Sequence, residues 1–170
     1  EIKLLDFLMM IFDISKGMEY LHLKENSILH RDLRSTNLLI KSNLINENNN
    51  WRDYIVKISD FGLSREGEYY LSNSINGTTP IKWSSLELLT SEDPKYTKEC
   101  DIWSFGIVLW ELFSFGKEPY NHLGNNINQT KIKKFLKSEL IKKVTKNFYG
   151  KSFNLRKKKI IQTFYIKIIK

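Results

Sequence analysis

The sequence predicts a mainly α-helical domain that carries one small β-hairpin. Three observations predict it. Apolar residues recur at helical spacing over residues 4–23. A second and more apolar stretch covers 98–115. Two short apolar runs, 37–41 and 54–58, flank an asparagine-rich segment.

In the first stretch Leu4, Leu8, Ile11, Ser15, Met18 and His22 fall on one helical face, and Leu5, Phe12 and Leu21 widen its apolar stripe. The spacing predicts a helix over 4–23 with one well-buried face. Gly17 inside it costs some helix stability and permits a close approach by a neighbour. Asn37-Leu38-Leu39-Ile40-Lys41 and Tyr54-Ile55-Val56-Lys57-Ile58 read as two strands. Five of the twelve residues between Ser42 and Asp53 are asparagine, which is turn chemistry, so 38–58 reads as a hairpin with a long tip. Residues 60–80 are rich in Gly, Ser, Thr and Asn without any period and read as one long loop, a length usually found where a loop is functional or disordered. Residues 82–90 suit a short helix. The 98–115 stretch carries Ile102, Trp103, Phe105, Ile107, Val108, Leu109, Trp110, Leu112 and Phe113 and is apolar nearly all round, so it predicts a helix buried at the centre of the domain and closed by Pro119.

Composition excludes several classes. Hydrophobic residues make up 41% of the 170 and aromatics 13%, which argues against general disorder. A single cysteine, Cys100, excludes a disulfide framework and a multi-cysteine zinc site and suits a reducing, cytoplasmic compartment. The most apolar run, Ile102 to Leu112, is interrupted by Glu111 and falls well short of the roughly 20 residues of a membrane helix, so no membrane segment is expected. No leader is visible, though a chain that starts at Glu1 gives that little weight.

The net charge of +8 is unevenly spread. Residues 1–130 hold 13 Lys/Arg against 18 Asp/Glu, whereas residues 131–170 hold 14 Lys/Arg against the single acid Glu139. Residues 125–170, dominated by Asn, Lys and Ile, admit three readings. They are a diverged helical end of the domain, using Ile132, Phe135, Leu136, Leu140, Ile141 and Val144. They are a basic tail for an anionic membrane or nucleic acid. Or they come from a shifted reading frame. The domain is accordingly drawn over residues 1–124, with 125–170 as a diverged or artefactual Lys/Ile/Asn-rich tail. No specific nucleic-acid partner is expected, and the oligomeric state is left open.

Chemistry concentrates in His30-Arg31-Asp32-Leu33-Arg34-Ser35-Thr36-Asn37 and in Asp60-Phe61-Gly62. Phosphoryl transfer asks a protein mainly for positioning and charge neutralisation. One carboxylate must stand beside the attacking hydroxyl, another must hold a metal that bridges phosphates, and an amide oxygen suits magnesium as a second hard donor. Asp32, Asp60 and Asn37 supply that set, and the two strands between them return the second motif to the first.

These motifs resemble those of the eukaryotic protein kinase family, whose catalytic-loop and metal-binding patterns are H-R-D-L-x-x-x-N and D-F-G. Five matching elements occur in family order between His30 and Gly106. The resemblance implies the C-terminal lobe of the two-lobed kinase fold, with the N-terminal lobe absent. It implies that Asp32 is the catalytic base, Arg34 acts beside it at the phosphate, and Asn37 and Asp60 hold magnesium (manganese is the alternative). Leu39 forms part of the floor under the adenine of ATP. Arg31 pairs with a phosphorylated residue of the activation loop, for which Tyr69 and Tyr70 are the candidates, with Ser72, Ser74, Thr78 and Thr79 competing. Pro80, Lys82 and Trp83 belong to the segment that receives a protein substrate. His30, Phe61, Gly62, Glu87 and Asp101 are structural: Glu87 as an ion-pair partner, Asp101 as a brace for the catalytic-loop backbone.

The resemblance is to the tyrosine kinase and tyrosine kinase-like groups. Arg34, Pro80-Ile81-Lys82-Trp83, Phe113-Ser114-Phe115-Gly116 and Pro119-Tyr120 favour the former, whereas Arg34-Ser35-Thr36-Asn37 sits nearer the latter, so tyrosine is the favoured acceptor and Ser/Thr the alternative. The chain departs from the family at Leu86, where proline is usual, and offers no arginine in a familiar context to pair with Glu87. It contains no glycine-rich loop or strand lysine, so the resemblance implies an ATP-dependent protein kinase of which this piece alone would be inactive. The rival expectation is a non-catalytic pseudokinase or truncated product that serves as a binding module.

Overall fold

The computed structural model describes residues 4–42, 54–71 and 80–148. The hairpin tip, the acceptors Ser72, Ser74, Thr78 and Thr79, and residues 149–170 lie outside the described residues. Helix α1 runs Leu4–His22, followed by strand β1 at Ile28–Leu29, β2 at Leu38–Ser42 and β3 at Tyr54–Ile58. Strands β4, Arg65–Glu66, and β5, Tyr69–Leu71, precede the short helix α2 at Leu86–Thr90. Strand β6, Lys95–Thr97, leads into α3, Lys98–Phe113, and α4 covers Gln129–Phe148. Turns of 3-10 helix occur at Ser35–Asn37, Ile81–Trp83 and Asn121–Leu123.

The predicted fold class holds: helices dominate and the strands form small antiparallel pairs. The hairpin β2–β3 pairs Leu38 with Ile58 and Ser42 with Tyr54. It lies on α1, where Ile58 approaches Gly17 so closely that a Cβ there would stand 2.8 Å from its Cδ1. The glycine thus permits a contact that any side chain would push apart.

Three expectations need correction. Residues 60–80 are not one uninterrupted loop: β4 pairs with β1 and β5 with β6. Both strands are too short to show an alternation, and their partners lie more than 20 residues away, so the pairing left no local pattern. The central helix ends at Phe113 rather than 115, and Pro119 does not stop it. Phe115 N–H donates to Leu112 O (3.1 Å) and Gly116 N–H to Glu111 O (2.8 Å), with Phe115 in the left-handed region at φ 58°. This is a Schellman closure with phenylalanine where glycine is usual. Residues 82–90 likewise divide into the 3-10 turn at Ile81–Trp83 and α2.

Helix α3 is the common wall of three apolar clusters. Val108 packs with Ile14, Met18 and Leu21 of α1, Leu33, and Val56 of β3. Ile107 packs with Leu89 of α2, Tyr120, and Ile132 and Leu136 of α4. Cys100 packs with Leu29, Leu88 and Tyr96. Among the described residues no helix is long and apolar enough to cross a membrane.

Ile132 is fully buried. Replacing it with alanine is expected to lower unfolding stability by about 2–5 kcal/mol through lost transfer energy and the cavity left behind. The exposed Lys134→Ala should stay within about 0.5 kcal/mol. Denaturant midpoints of the two variants check this, and equal midpoints would detach α4 from the core.

Candidate active site

The turn from β1 to β2 is built around one buried carboxylate on α3. Asp101 is fully buried. Its Oδ2 accepts His30 N–H at 2.8 Å and the His22 ring Nε2–H at 2.9 Å, while Oδ1 accepts Arg31 N–H at 2.9 Å and Tyr96 O–H at 3.0 Å. A buried carboxylate is tolerated when its lone pairs are filled in this way. The two backbone bonds hold Arg31 at φ 70°, a left-handed conformation that non-glycine residues avoid and that clusters at functional sites.

The next residue, Asp32, is 5% exposed. Its Oδ2 accepts Asn37 Nδ2 at 3.0 Å and Arg34 Nη2 at 3.1 Å. Its Oδ1 is buried and accepts no hydrogen bond among the described residues. An orphaned carboxylate oxygen is costly and so marks a place where a ligand donor belongs. Asn37 also donates to Asp32 O at 2.7 Å. Its amide hydrogens are therefore committed to Asp32, which leaves Oδ1 as its outward donor atom. The Arg34 Nε and Arg31 Nε atoms are likewise buried without partners.

The second motif is tied to the first across the hairpin base. Ser59 donates both its N–H and its Oγ–H to Asn37 O, each at 2.9 Å. His30 Nε2 lies 3.1 Å from Ser59 O, and Asp32 N–H reaches His30 Nδ1 at 3.3 Å. The imidazole thus donates through Nε2–H and accepts at Nδ1. Asp60 follows directly, exposed and left-handed at φ 62°, with Gly62 N–H on its Oδ1 at 3.3 Å. The Phe61 ring sits 5.0 Å from that of His30. No hydrogen bond joins Asp60 to Asp32 or Asn37. Asp60 and Asn37 Oδ1 are hard oxygen donors, a set that fits magnesium, which needs only one or two carboxylates beside phosphate oxygens. Among the described residues no group of three or more His, Cys, Asp or Glu could form an all-protein metal cage. Leu39 on β2 is 56% exposed next to this site.

The two candidate tyrosines are placed differently. Tyr70 lies against the Arg31 guanidinium, 4.2 Å from the ring centre, with Arg65 at 5.7 Å. Arg31 also donates through Nη1 to Leu63 O at 3.0 Å. Burial pulls this guanidinium below its ordinary value while the nearby Tyr70 opposes the shift. Tyr69 is 58% exposed, with Lys95 over its ring at 5.6 Å. Glu87 is exposed, forms no ion pair among the described residues, and accepts the Cys100 thiol at 3.7 Å. Burial pushes that thiol up.

In the segment from Pro80, Lys82 pairs with Glu118 and Trp83 N–H donates to Pro80 O at 2.9 Å. Trp83 O accepts Ser104 Oγ–H at 2.9 Å, and its indole N–H donates to Glu111 Oε2 at 3.0 Å. Glu111 was not recognisable from motifs. The signal for it was an acid inside an otherwise apolar run, which in a buried helix means a carboxylate with work to do.

His30 gives a pH prediction. Burial pushes its imidazole below the ordinary 6.5, against the opposing pull of Asp101, Ser59 and the nearby carboxylates. The unfolded chain then binds more protons than the fold below pH 6.5, so the neutral ring's contribution is complete above 6.5 and is lost as pH falls toward the folded value. Thermal midpoints measured from pH 7.5 to 5.5 should decline. The His30→Gln variant should be less stable at pH 7.5 and show a flatter decline.

A sequence profile described as protein tyrosine and serine/threonine kinase matches residues 1–151. Fibroblast growth factor receptor homolog 2 of Drosophila melanogaster is 40% identical over 115 residues, 66% of this chain and 10% of that protein. Tyrosine-protein kinase csk-1 of Caenorhabditis elegans is 41% identical over 113 residues, 66% of this chain and 18% of that protein. Ephrin type-B receptor 4b of Danio rerio is 39% identical over 121 residues, 68% of this chain and 11% of that protein. The chain therefore spans less than a fifth of the length of these relatives. With a family profile over most of its length, carried on the fold and motifs described above, the chain belongs to the protein tyrosine and serine/threonine kinase family.

Proposed function

We propose that this chain is the catalytic-loop part of a kinase that transfers the γ-phosphoryl group of ATP to a tyrosine hydroxyl of a protein substrate. The observation that carries the reading is the orphaned Asp32 Oδ1, held in place by two donors on its sibling oxygen. An acceptor hydroxyl suits that unpartnered oxygen. Asp32 takes its proton as the hydroxyl oxygen bonds to the γ-phosphorus, and the bond to the β-phosphate oxygen breaks with its electron pair leaving on ADP. Arg34, tied to Asp32, has its unpartnered Nε for a phosphate oxygen. Asn37 and Asp60 would hold magnesium, which when bound neutralises the phosphate charge. Leu39 offers an apolar surface for the adenine. The name of one of the three relatives, tyrosine-protein kinase csk-1, supports tyrosine as the acceptor over serine or threonine, and a cytosolic setting goes with ATP as donor.

Two further assignments accompany this reading. Tyr70 is the activation-loop phosphorylation site: its phosphate ester, close to a dianion, would find two guanidiniums nearby, those of Arg31 and Arg65, 4.2 and 5.7 Å from the ring centre. The lobe also runs past residue 124 into α4, as the burial of Ile132 and Leu136 against α2 supports.

In the complete protein, Asp32→Asn should cut kcat for peptide phosphorylation by about 10²–10⁴-fold and leave ATP binding intact. Turnover retained by that variant would remove Asp32 from its role, and a wild-type protein inert toward all peptides would favour the non-catalytic binding module. Tyr70→Phe should abolish an activating phosphorylation seen by mass spectrometry, and Tyr69→Phe should not.

A further inference from the structure

Helix α4 has two sides of different chemistry. Ile132 and Leu136 are buried and seat it against Leu89, Ile107 and Tyr120. Lys131, Lys134 and Lys137 lie on the other side, and all three are exposed. Their i, i+3 spacing makes them neighbours on one helix surface. No acid stands among them: the first turn carries none, and the first acid of the helix is Glu139. None of the three forms an ion pair among the described residues. Lys131 Nζ donates to Asn125 O at 2.8 Å, a neutral acceptor. This pattern works against the helix twice. Like charges three residues apart repel, and cations near an N-terminus oppose the positive end of the helix dipole. A merely solvated helix face intersperses both signs, as α1 does with its Lys16–Glu19 pair. An anionic surface laid against α4 would offset both penalties.

We propose that this lysine face of α4 is a docking surface for an anionic lipid bilayer. Charge complementarity selects an anionic partner, and the kind of cation selects the lipid. Of the fourteen Lys/Arg in residues 131–170, only Arg156 is an arginine. Lysine is a point charge without the planar fork that grips one phosphate through two bonds, so it suits a diffuse sheet of headgroups better than the fixed phosphates of a nucleic acid. The sequence beyond the described residues continues in kind. Residues 149–170 add seven Lys/Arg and no acid, and the run Arg156-Lys157-Lys158-Lys159 is followed by Ile160, Ile161, Phe164, Tyr165 and Ile166. Basic residues beside large apolar ones are the composition of segments that partition at the headgroup boundary, and the apolar members would serve no purpose against phosphates alone. Peripheral binding of this kind needs no membrane-spanning helix. The helical and the basic readings of the C-terminal residues then describe two sides of one helix.

The test uses the full chain with vesicles of phosphatidylserine and phosphatidylcholine, and vesicles of phosphatidylcholine alone as the control, at about 0.1 M salt. The protein should sediment with the anionic vesicles and not with the neutral ones. The combined Lys131→Gln, Lys134→Gln and Lys137→Gln variant should partition about 10–100-fold more weakly, as the loss of three surface cations implies. The combined Lys131→Arg, Lys134→Arg and Lys137→Arg variant keeps the charge and should keep the binding. A second readout needs no variant: bound vesicles should protect Lys131, Lys134 and Lys137 of the wild type from reductive methylation, while Lys16, 59% exposed on α1, stays reactive. That readout decides even if the glutamine variant fails to fold. No partition into anionic vesicles, equal partition into neutral ones, full partition by the glutamine variant, or protection of Lys16 equal to that of the α4 lysines would overturn the proposal. Tighter binding to an RNA or duplex DNA oligonucleotide at the same salt would also overturn it, in favour of a nucleic-acid partner. None of these measurements depends on kinase turnover, so the docking surface and the kinase reading fail separately.

Discussion

Four donors converge on the carboxylate of Asp101, and the site's geometry depends on their being there. They come from α1 (His22), from the β1–β2 turn (His30 and Arg31 backbone) and from β6 (Tyr96). None of these segments could take its present path alone. Arg31 in particular needs compensation for its left-handed backbone, and hydrogen bonds to a buried anion provide it. A charge this deep would be prohibitive without those donors, so the carboxylate and the turn stabilise each other.

The same economy recurs along α3. A helix apolar nearly all round can serve as a core wall, and α3 does so for three clusters. It also buries Asp101, Ser104 and Glu111. These three polar residues fasten the β1–β2 turn and the segment around Trp83. Apolar packing fixes the helix, and the helix then acts as a rigid rail from which hydrogen bonds position mobile-looking loops. His30 extends the rail's reach, since its two ring nitrogens connect Asp32 to the residue before Asp60.

What was legible in the sequence was what local periodicity or a fixed motif records. Helix α1 and the β2–β3 hairpin follow from the spacing of Ile11, Met18 and Val56 and from the turn-rich stretch between the strands. Strands β4 and β5 were invisible because exposed pairs such as Arg65–Glu66 gain their conformation from distant partners rather than from their own pattern. The end of α3 was misplaced because proline is a strong signal, while Phe115 is a poor candidate for a left-handed cap. The grouping of Asp32 with Asn37 was readable as a motif, but the orphaned oxygen, the separation of Tyr69 from Tyr70 and the convergence on Glu111 are matters of three-dimensional arrangement. A helical end of the domain using Ile132 and Leu136 was one of three readings of the lysine-rich tail, and composition alone could not choose among them; in the fold both side chains are buried, which suffices to seat that part of the helix.

The closure at the end of α3 has a consequence for order in the site. Helix termini ordinarily fray, opening and closing their last turn. Here the last turn contains Glu111, whose carbonyl receives Gly116 N–H at 2.8 Å and Ser114 Oγ–H at 3.2 Å while its side chain receives Ser35 and Trp83. Fraying would have to break both sets together. The backbone hydrogen bonds that stop the helix and the side-chain bonds that hold the loops thus melt as one unit, and the tightness of a cap far along the chain from Asp32 becomes a determinant of how still that carboxylate is kept.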